Sequence, residues 1–216
     1  LEHSGMETEP AKMMFSEIER IERLLKQLLM HSHPMPIKSQ SFNLHELLDT
    51  VLSFERSSHP GLRFTAYYDA SLPDIEADRD KLHQVFLNLV RNASEACPAD
   101  GRVRVLTRHC AHWELAGTNL DPTRRYILVS IEDEGPGIPE ELRKNIFKPL
   151  FSTKKQGTGL GLSISFRLVE SHGGQLRYQP SEKSGACFQV ILPESQSESL
   201  EENSPNFVYQ DLRKEI

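Results

Sequence analysis

A two-layer α/β sandwich, with helices over one face of a mixed sheet, is the fold class the sequence predicts for its central part. Three observations predict it. Five apolar runs of strand length recur between residues 62 and 192, and amphipathic stretches of helical period fall between them. The apolar content, 38% with only 7% aromatic in 216 residues, suffices for one good core plus an accessory element.

Taken in order, residues 1–6 (LEHSGM) resemble a cloning remnant ahead of a start methionine. From Met14 to Leu28 the apolar positions Met14, Ile18, Ile21, Leu25 and Leu28 step by 4, 3, 4 and 3, with charged residues between them. That is a coiled-coil seam of about two heptads, too short to be stable alone. It is expected to belong to a longer helical hairpin or a homodimer through residues 14–30. An amphipathic helix lying on its own domain is the plainer alternative. His31 and His33 end this helix just before Pro34 and Pro36, where occasional positive charge suits a helix C-terminus. Residues 1–38 are thus read as a helical segment and hinge.

Residues 39–194 form the expected main domain. Asn43 followed by Glu46 reads as a helix cap, and Leu44, Leu47, Leu48, Val51 and Leu52 keep one apolar face. Strands are expected at 62–69, 102–109, 126–133, 175–179 and 186–192. Helices are expected at 80–96 and 160–172, the second closed by Gly173-Gly174. Residues 195–216 open on a polar, acidic run without periodicity and are expected to be a disordered tail.

Composition narrows function. Lysine and arginine number 25 against 31 acidic residues, a net charge of −6, so no general basic field exists to hold nucleic acid. The three cysteines, Cys97, Cys110 and Cys187, have neither disulfide-framework nor zinc spacing, and a reducing cytosol fits them. No run approaches the roughly 18 apolar residues that span a bilayer. Any membrane attachment is expected outside this sequence.

Three stretches could carry chemistry. In the 80–96 helix, Asn88, Asn92 and Glu95 recur at i, i+4 and i+7 beside the apolar face. A carboxamide oxygen there suits a hard cation such as Mg²⁺ that keeps water and phosphate ligands, although such residues alone are more often simply solvated. "EDEGPGIP" sets Asp133 at the end of an apolar strand before Gly135 and Gly137. A sheltered carboxylate can accept a hydrogen bond from an exocyclic amine, and glycines admit a flat base; a plain glycine turn fits the same residues. "GTGLGLSIS" opens a helix with glycines 157, 159 and 161, whose freed N–H groups suit phosphate oxygens. Its spacing matches neither the P-loop nor the dinucleotide fingerprint. Lys154 and Lys155, just before it, either reach those phosphates or merely aid solubility.

In this order and spacing the chain resembles a known family. "NLVRNASEA", "DEGPGIP", "IFKPLFSTKKQ" and "GTGLGLS" are similar to the N, G1, F and G2 boxes of the ATP-binding catalytic domain of two-component sensor histidine kinases, over about residues 40–193. The resemblance implies the Bergerat (GHKL) fold, with ATP and Mg²⁺ bound under a mobile lid. It implies Asn92, with Asn88 one turn earlier, as metal ligands, and Asn88, Asn92 and Lys154 as the catalytic set. It makes Asp133 the adenine-reading carboxylate and places Arg91, Gly135, Gly137, Ile138, Phe147, Phe151, Thr153, Gly157, Thr158, Gly159, Leu160, Gly161 and Leu162 around the nucleotide. "YDASLPDIEADRDKLHQVFLNLVRNA" and the insert "CAHWELAGTNLDPTRR" look most like nitrogen-regulation sensor kinases.

Related gyrase-, chaperone- and mismatch-repair-type ATPases carry a glutamate as general base where this chain has Asn88. A carboxamide cannot take a proton from water, so hydrolysis is disfavoured and phosphoryl transfer is expected. The family's acceptor is a histidine in a box like H-E-x-x-N-P. None of the nine histidines has both the acid and the Asn-Pro; His45, followed by Glu46, comes nearest. The expected partners are therefore ATP or ADP, a histidine-bearing hairpin supplied upstream or by another chain, and a response regulator.

Overall fold

The computed structural model describes residues 37–154, 157–180 and 185–195. The coiled-coil seam, the LEHSGM stretch, Lys155 and the acidic run beyond residue 195 lie outside the described residues.

Helix α1 (Leu44–Ser58) starts where Asn43 caps it, its side chain accepting the amides of His45 (2.9 Å) and Glu46 (3.3 Å). The predicted stripe is the buried one: Leu44, Leu47, Leu48, Val51 and Leu52 are at most 2% exposed. Helix α2 (Arg79–Ala96) is capped by Asp78, which accepts the Lys81 amide at 3.2 Å. The other carboxylate oxygen of Asp78 takes the Lys38 amide at 3.0 Å. Burial alone would raise the Asp78 carboxyl, yet these two amides and the nearby Lys81 charge hold it below its ordinary value. A single turn, α3 (Glu140–Arg143), precedes α4 (Gly161–Ser171). Helix α4 ends in a Schellman motif: Gly173 has φ +69°, its amide bonds the Glu170 carbonyl (2.9 Å), and the Gly174 amide bonds that of Val169 (3.0 Å).

The main sheet has the order β2-β4-β5-β7-β6, with β2 (Arg63–Tyr67), β4 (Arg102–His109), β5 (Tyr126–Asp133), β6 (Gln175–Pro180) and β7 (Ala186–Pro193). Only β2 and β4 run parallel, so the sheet is mixed as expected. Val103, Val105, Ile127, Val129 and Ile131 point to the face covered by α1, α2 and α4, where Phe86 is fully buried.

The structure departs from expectation in three places. Strand β2 stops at Tyr67 because Asp69 turns the chain: its carboxylate accepts the Ser71 amide (3.0 Å) and hydroxyl (2.6 Å), a local geometry that competes with the ladder. A small antiparallel ribbon, β1 (Gln40–Phe42) with β3 (Ile75–Ala77), was not predicted, since three-residue strands carry no readable period. The insert after β4 folds over the other face of the sheet. A 3₁₀ turn at His112–Leu115 brings Leu115 against Tyr126, Leu128 and Ile191. The buried Glu114 there binds the Arg108 guanidinium at 2.6 and 2.7 Å and approaches Arg177 (3.7 Å).

Candidate functional site

One flank of α2 carries the polar stripe. Asn88 donates from Nδ2 to Ser165 Oγ on α4 at 3.0 Å. Its Oδ1 lies against Gly161, where an added Cβ would come to 2.3 Å, so glycine at 161 is required by the close approach of α2 and α4. Asn92, one turn later, accepts the Lys154 ammonium on Oδ1 at 3.1 Å, and Lys154 also pairs with Glu95. A cation thus already rests on the Asn92 carboxamide oxygen. Arg91 is turned towards α1, where its Nε donates to Glu55 Oε1 at 3.3 Å.

At the end of β5, Asp133 is only 4% exposed. Its Oδ1 accepts the amides of Gly135 (2.8 Å) and Ala186 (3.1 Å), while Oδ2 has no hydrogen bond among the described residues. Burial pushes the carboxyl up from its ordinary value, and the two amide bonds only partly offset that. Two glycines make this geometry possible. Gly135 sits under the carboxyl end of α2, an added Cβ lying 2.7 Å from the Ala96 carbonyl oxygen. Gly185, at φ +92°, would place a Cβ 1.8 Å from the Asp133 carbonyl oxygen. Gly137 has φ +74° and faces Gly185 across the same gap.

The segment between α3 and α4 is rooted in the core. Phe147 packs on Phe166 (5.2 Å between centroids) and Phe188 (6.5 Å), and Phe151, Ile138 and Leu162 are half-buried against the same cluster. Leu160, expected beside the nucleotide, is fully buried in the core, so only its backbone could face a ligand. Thr153 and Gly157 are exposed. Thr158, also exposed, accepts the Leu160 amide at 3.4 Å. Gly159 adopts φ +67° close under Leu150. No side chain caps the start of α4, which leaves first-turn amides of an 11-residue helix open to an anion.

The structure therefore brings Asn88, Asn92, Lys154 and Gly161 together, and Asp133 with Gly135 and Gly137 beyond the carboxyl end of α2. Sequence reasoning missed Gly185, which holds the Asp133 pocket from another strand; a glycine just ahead of a strand-like apolar run was the available signal. It also missed Ser165, the partner of Asn88. Among the described residues no group of three or more His, Cys, Asp or Glu side chains could hold a metal ion. A shallow depression of about 500 Å³ on the outer face of the sheet, lined by Tyr67, Leu106, Arg108 and Glu132 among others, is separate from this arrangement.

Residues 77–196 match the family described as histidine kinase-, DNA gyrase B- and HSP90-like ATPases. The chain is 35% identical over 185 residues to the sensory histidine kinase/phosphatase NtrB of Azospirillum brasilense, covering 84% of this chain and 46% of that protein. It is 34% identical to sporulation kinase C of Bacillus subtilis, over 84% of this chain and 40% of that one. The chain thus spans about half the length of the curated relatives it matches. The nucleotide-free catalytic domain of histidine kinase ThkA superimposes with a TM-score of 0.62 at 32% identity, over 73% of this chain and 96% of that domain. ThkA in complex with the response regulator TrrA gives a TM-score of 0.64 at 29% identity, over 90% and 53% of the two chains. The chain belongs to the histidine kinase-, DNA gyrase B- and HSP90-like ATPase family, as the ATP-binding catalytic domain of a sensor histidine kinase.

Proposed function

We propose that this domain presents ATP, as its magnesium complex, to a histidine that is none of the nine in this sequence, on a helical hairpin supplied upstream or by another chain, and that a response regulator then receives the phosphoryl group. The observation that carries the reading is Asp133: a buried carboxylate with one oxygen pinned by two amides and the other unbonded. Such an oxygen is an acceptor for the exocyclic amine of adenine, with Gly135 and Gly137 giving the base room. Asn92, helped by Asn88, would hold Mg²⁺. One or two neutral protein oxygens suit an ion that keeps water and phosphate ligands, and the ammonium resting on Asn92 Oδ1 supports that oxygen's readiness for positive charge. The open amides at the start of α4, with Gly157 and Gly159 before them, face the phosphates. When bound, the ion neutralises phosphate charge. The chain itself contributes positioning and directed dipoles.

Transfer is favoured over hydrolysis because Asn88 is no base and is committed to Ser165. The free cysteines and the acidic net charge support a reducing, cytoplasmic setting without nucleic acid; no helix among the described residues is long and apolar enough to cross a membrane. The domain is proposed to comprise residues 39–194, with 1–38 as hairpin segment and hinge, capable of pairing two copies through 14–30. Incubation with γ-labelled ATP tests the reading. The chain is expected to bind ATP and ADP with Mg²⁺, to release almost no phosphate, and to label a histidine hairpin supplied in trans without labelling itself. Acid-labile label on this polypeptide alone would overturn it.

A further inference from the structure

The oxygen proposed above as a metal ligand also receives a charge from the chain itself. Lys154 Nζ donates to Asn92 Oδ1 at 3.1 Å and pairs at the same time with Glu95. Asn92 and Glu95 are three residues apart on α2, so they stand side by side on one flank of the helix and grip the ammonium between them. The backbone fixes where the lysine starts from: its amide donates to Ser152 Oγ (3.1 Å), and its carbonyl accepts the Gly157 amide (3.2 Å). Lys154 is thus tied on one side to the asparagine helix and on the other to the first of the phosphate-facing glycines.

Stability does not account for this contact. The side chains of Lys154 and Glu95 are 43% and 42% exposed, and a pair so well solvated adds little to folding. Its consequence is a choice of cation at Asn92. An ammonium at hydrogen-bond distance and a divalent ion at coordination distance from the same oxygen would stand only a few ångströms apart, where their repulsion is strong. The two therefore exclude each other at Oδ1. The ammonium is held loosely enough to be displaced by an ion that brings two charges and the phosphate oxygens of a nucleotide. A monovalent ion, with no more charge than the lysine and no tether to the chain, has no such advantage.

We propose that Lys154 is a specificity-determining residue, an internal competitor for the metal position: its ammonium must leave Asn92 Oδ1 for Mg²⁺ to be held there. The competition sets the magnesium concentration at which nucleotide is taken up, and the exchange releases the Ser152–Lys154 turn from α2. The inference rests on the reading of Asn92 as a metal ligand. Its test is ADP affinity, measured by calorimetry on the full chain over a series of Mg²⁺ concentrations, from which the half-saturating magnesium concentration is read. Lys154→Met should lower that concentration about two- to fivefold, the range an exposed charge pair is worth. Lys148→Met, which removes the same charge from an exposed position six residues earlier, should leave it unmoved. The effect of Lys154→Met should shrink when Glu95 is already Gln, because the ammonium is then less firmly held. All three positions lie outside the buried core, so the variants leave it untouched. An unchanged or higher magnesium requirement in Lys154→Met overturns the inference, and so does loss of its ADP binding at saturating Mg²⁺, which would make the lysine a nucleotide ligand instead. An equal response to Lys148→Met overturns it too, since a general field and not a shared oxygen would then be the cause. Wild-type ADP binding indifferent to Mg²⁺ overturns the reading of Asn92 as a metal ligand and this inference with it.

Discussion

Replacing Asp133 by asparagine separates two properties that the carboxylate combines. The side-chain oxygen of asparagine can still accept the Gly135 and Ala186 amides, now at 2.8 and 3.1 Å, so the turn after β5 keeps its anchor. The other position changes from acceptor to NH₂ donor. If the adenine amine donates there, the variant loses a hydrogen bond to a charged group, about 1.5–3 kcal/mol, and sets two donors face to face at a further cost of about 1–3 kcal/mol. Affinity for ADP should fall by roughly 100-fold or more, measurable by calorimetry. Stability should behave in the opposite sense. Burial raises the Asp133 carboxyl from its ordinary 3.8, so the folded state binds that proton more tightly than the unfolded chain does. The stability this contributes is present below the unfolded value and is lost as pH rises through the raised one. The variant should therefore gain on the wild type in urea melts as pH is taken upward from about 4 to 7. ADP affinity unchanged within about threefold, a difference worth well under 1 kcal/mol, would refute the adenine assignment. Loss of affinity accompanied by unfolding would refute the separation.

Gly185→Ala should be far more damaging than its size suggests, since the new Cβ would meet the Asp133 carbonyl oxygen at 1.8 Å with the backbone at φ +92°; a loss above about 2 kcal/mol by urea denaturation, together with loss of ADP binding, is expected. Gly161→Ala should cost about 1–3 kcal/mol by crowding Asn88 Oδ1, and Asn88→Ala should restore part of it, a coupling that a double-mutant cycle reads directly. Glu114→Gln should cost about 1–3 kcal/mol at pH 7 by weakening the Arg108 clamp. The hydrogen bond from Arg108, with lesser help from the Ala111 amide and Arg177, holds the Glu114 carboxyl below its ordinary 4.5. Its stabilisation is therefore complete above that value and fades as pH falls through the depressed one, so the two melting curves should converge in acid.

Legibility in the sequence followed the range of the causes. Helix α1 could be read because its cap, Asn43, and its stripe lie within ten residues of one another. Strands β4 and β5 could be read to the residue because burial alternates along the first and is almost continuous along the second. The motif residues Asn88, Asn92, Asp133 and the 157–161 glycines stood out for the same local reason. What escaped depends on distant partners. Gly185 is required only because Asp133, 52 positions earlier on another strand, closes upon it. Glu55 looks like any polar helix residue until Arg91, 36 positions later, is found bonded to it. Leu160 stands among the 157–161 glycines in the chain, while the packing of α4 turns its side chain into the core.

The two oxygens of Asp78 bind different parts of the chain, the Lys38 amide on one and the Lys81 amide on the other. The backbone at residue 38 and the helix that carries the asparagines are thereby fastened to a single carboxylate. The link from residue 38 to the first turn of α2 runs through this side chain and not through the sheet. A helix cap is worth about 1 kcal/mol, or roughly a fivefold change in an equilibrium. Asp78 therefore joins the order of the backbone at residue 38 to the first turn of the helix on which the asparagine stripe is mounted.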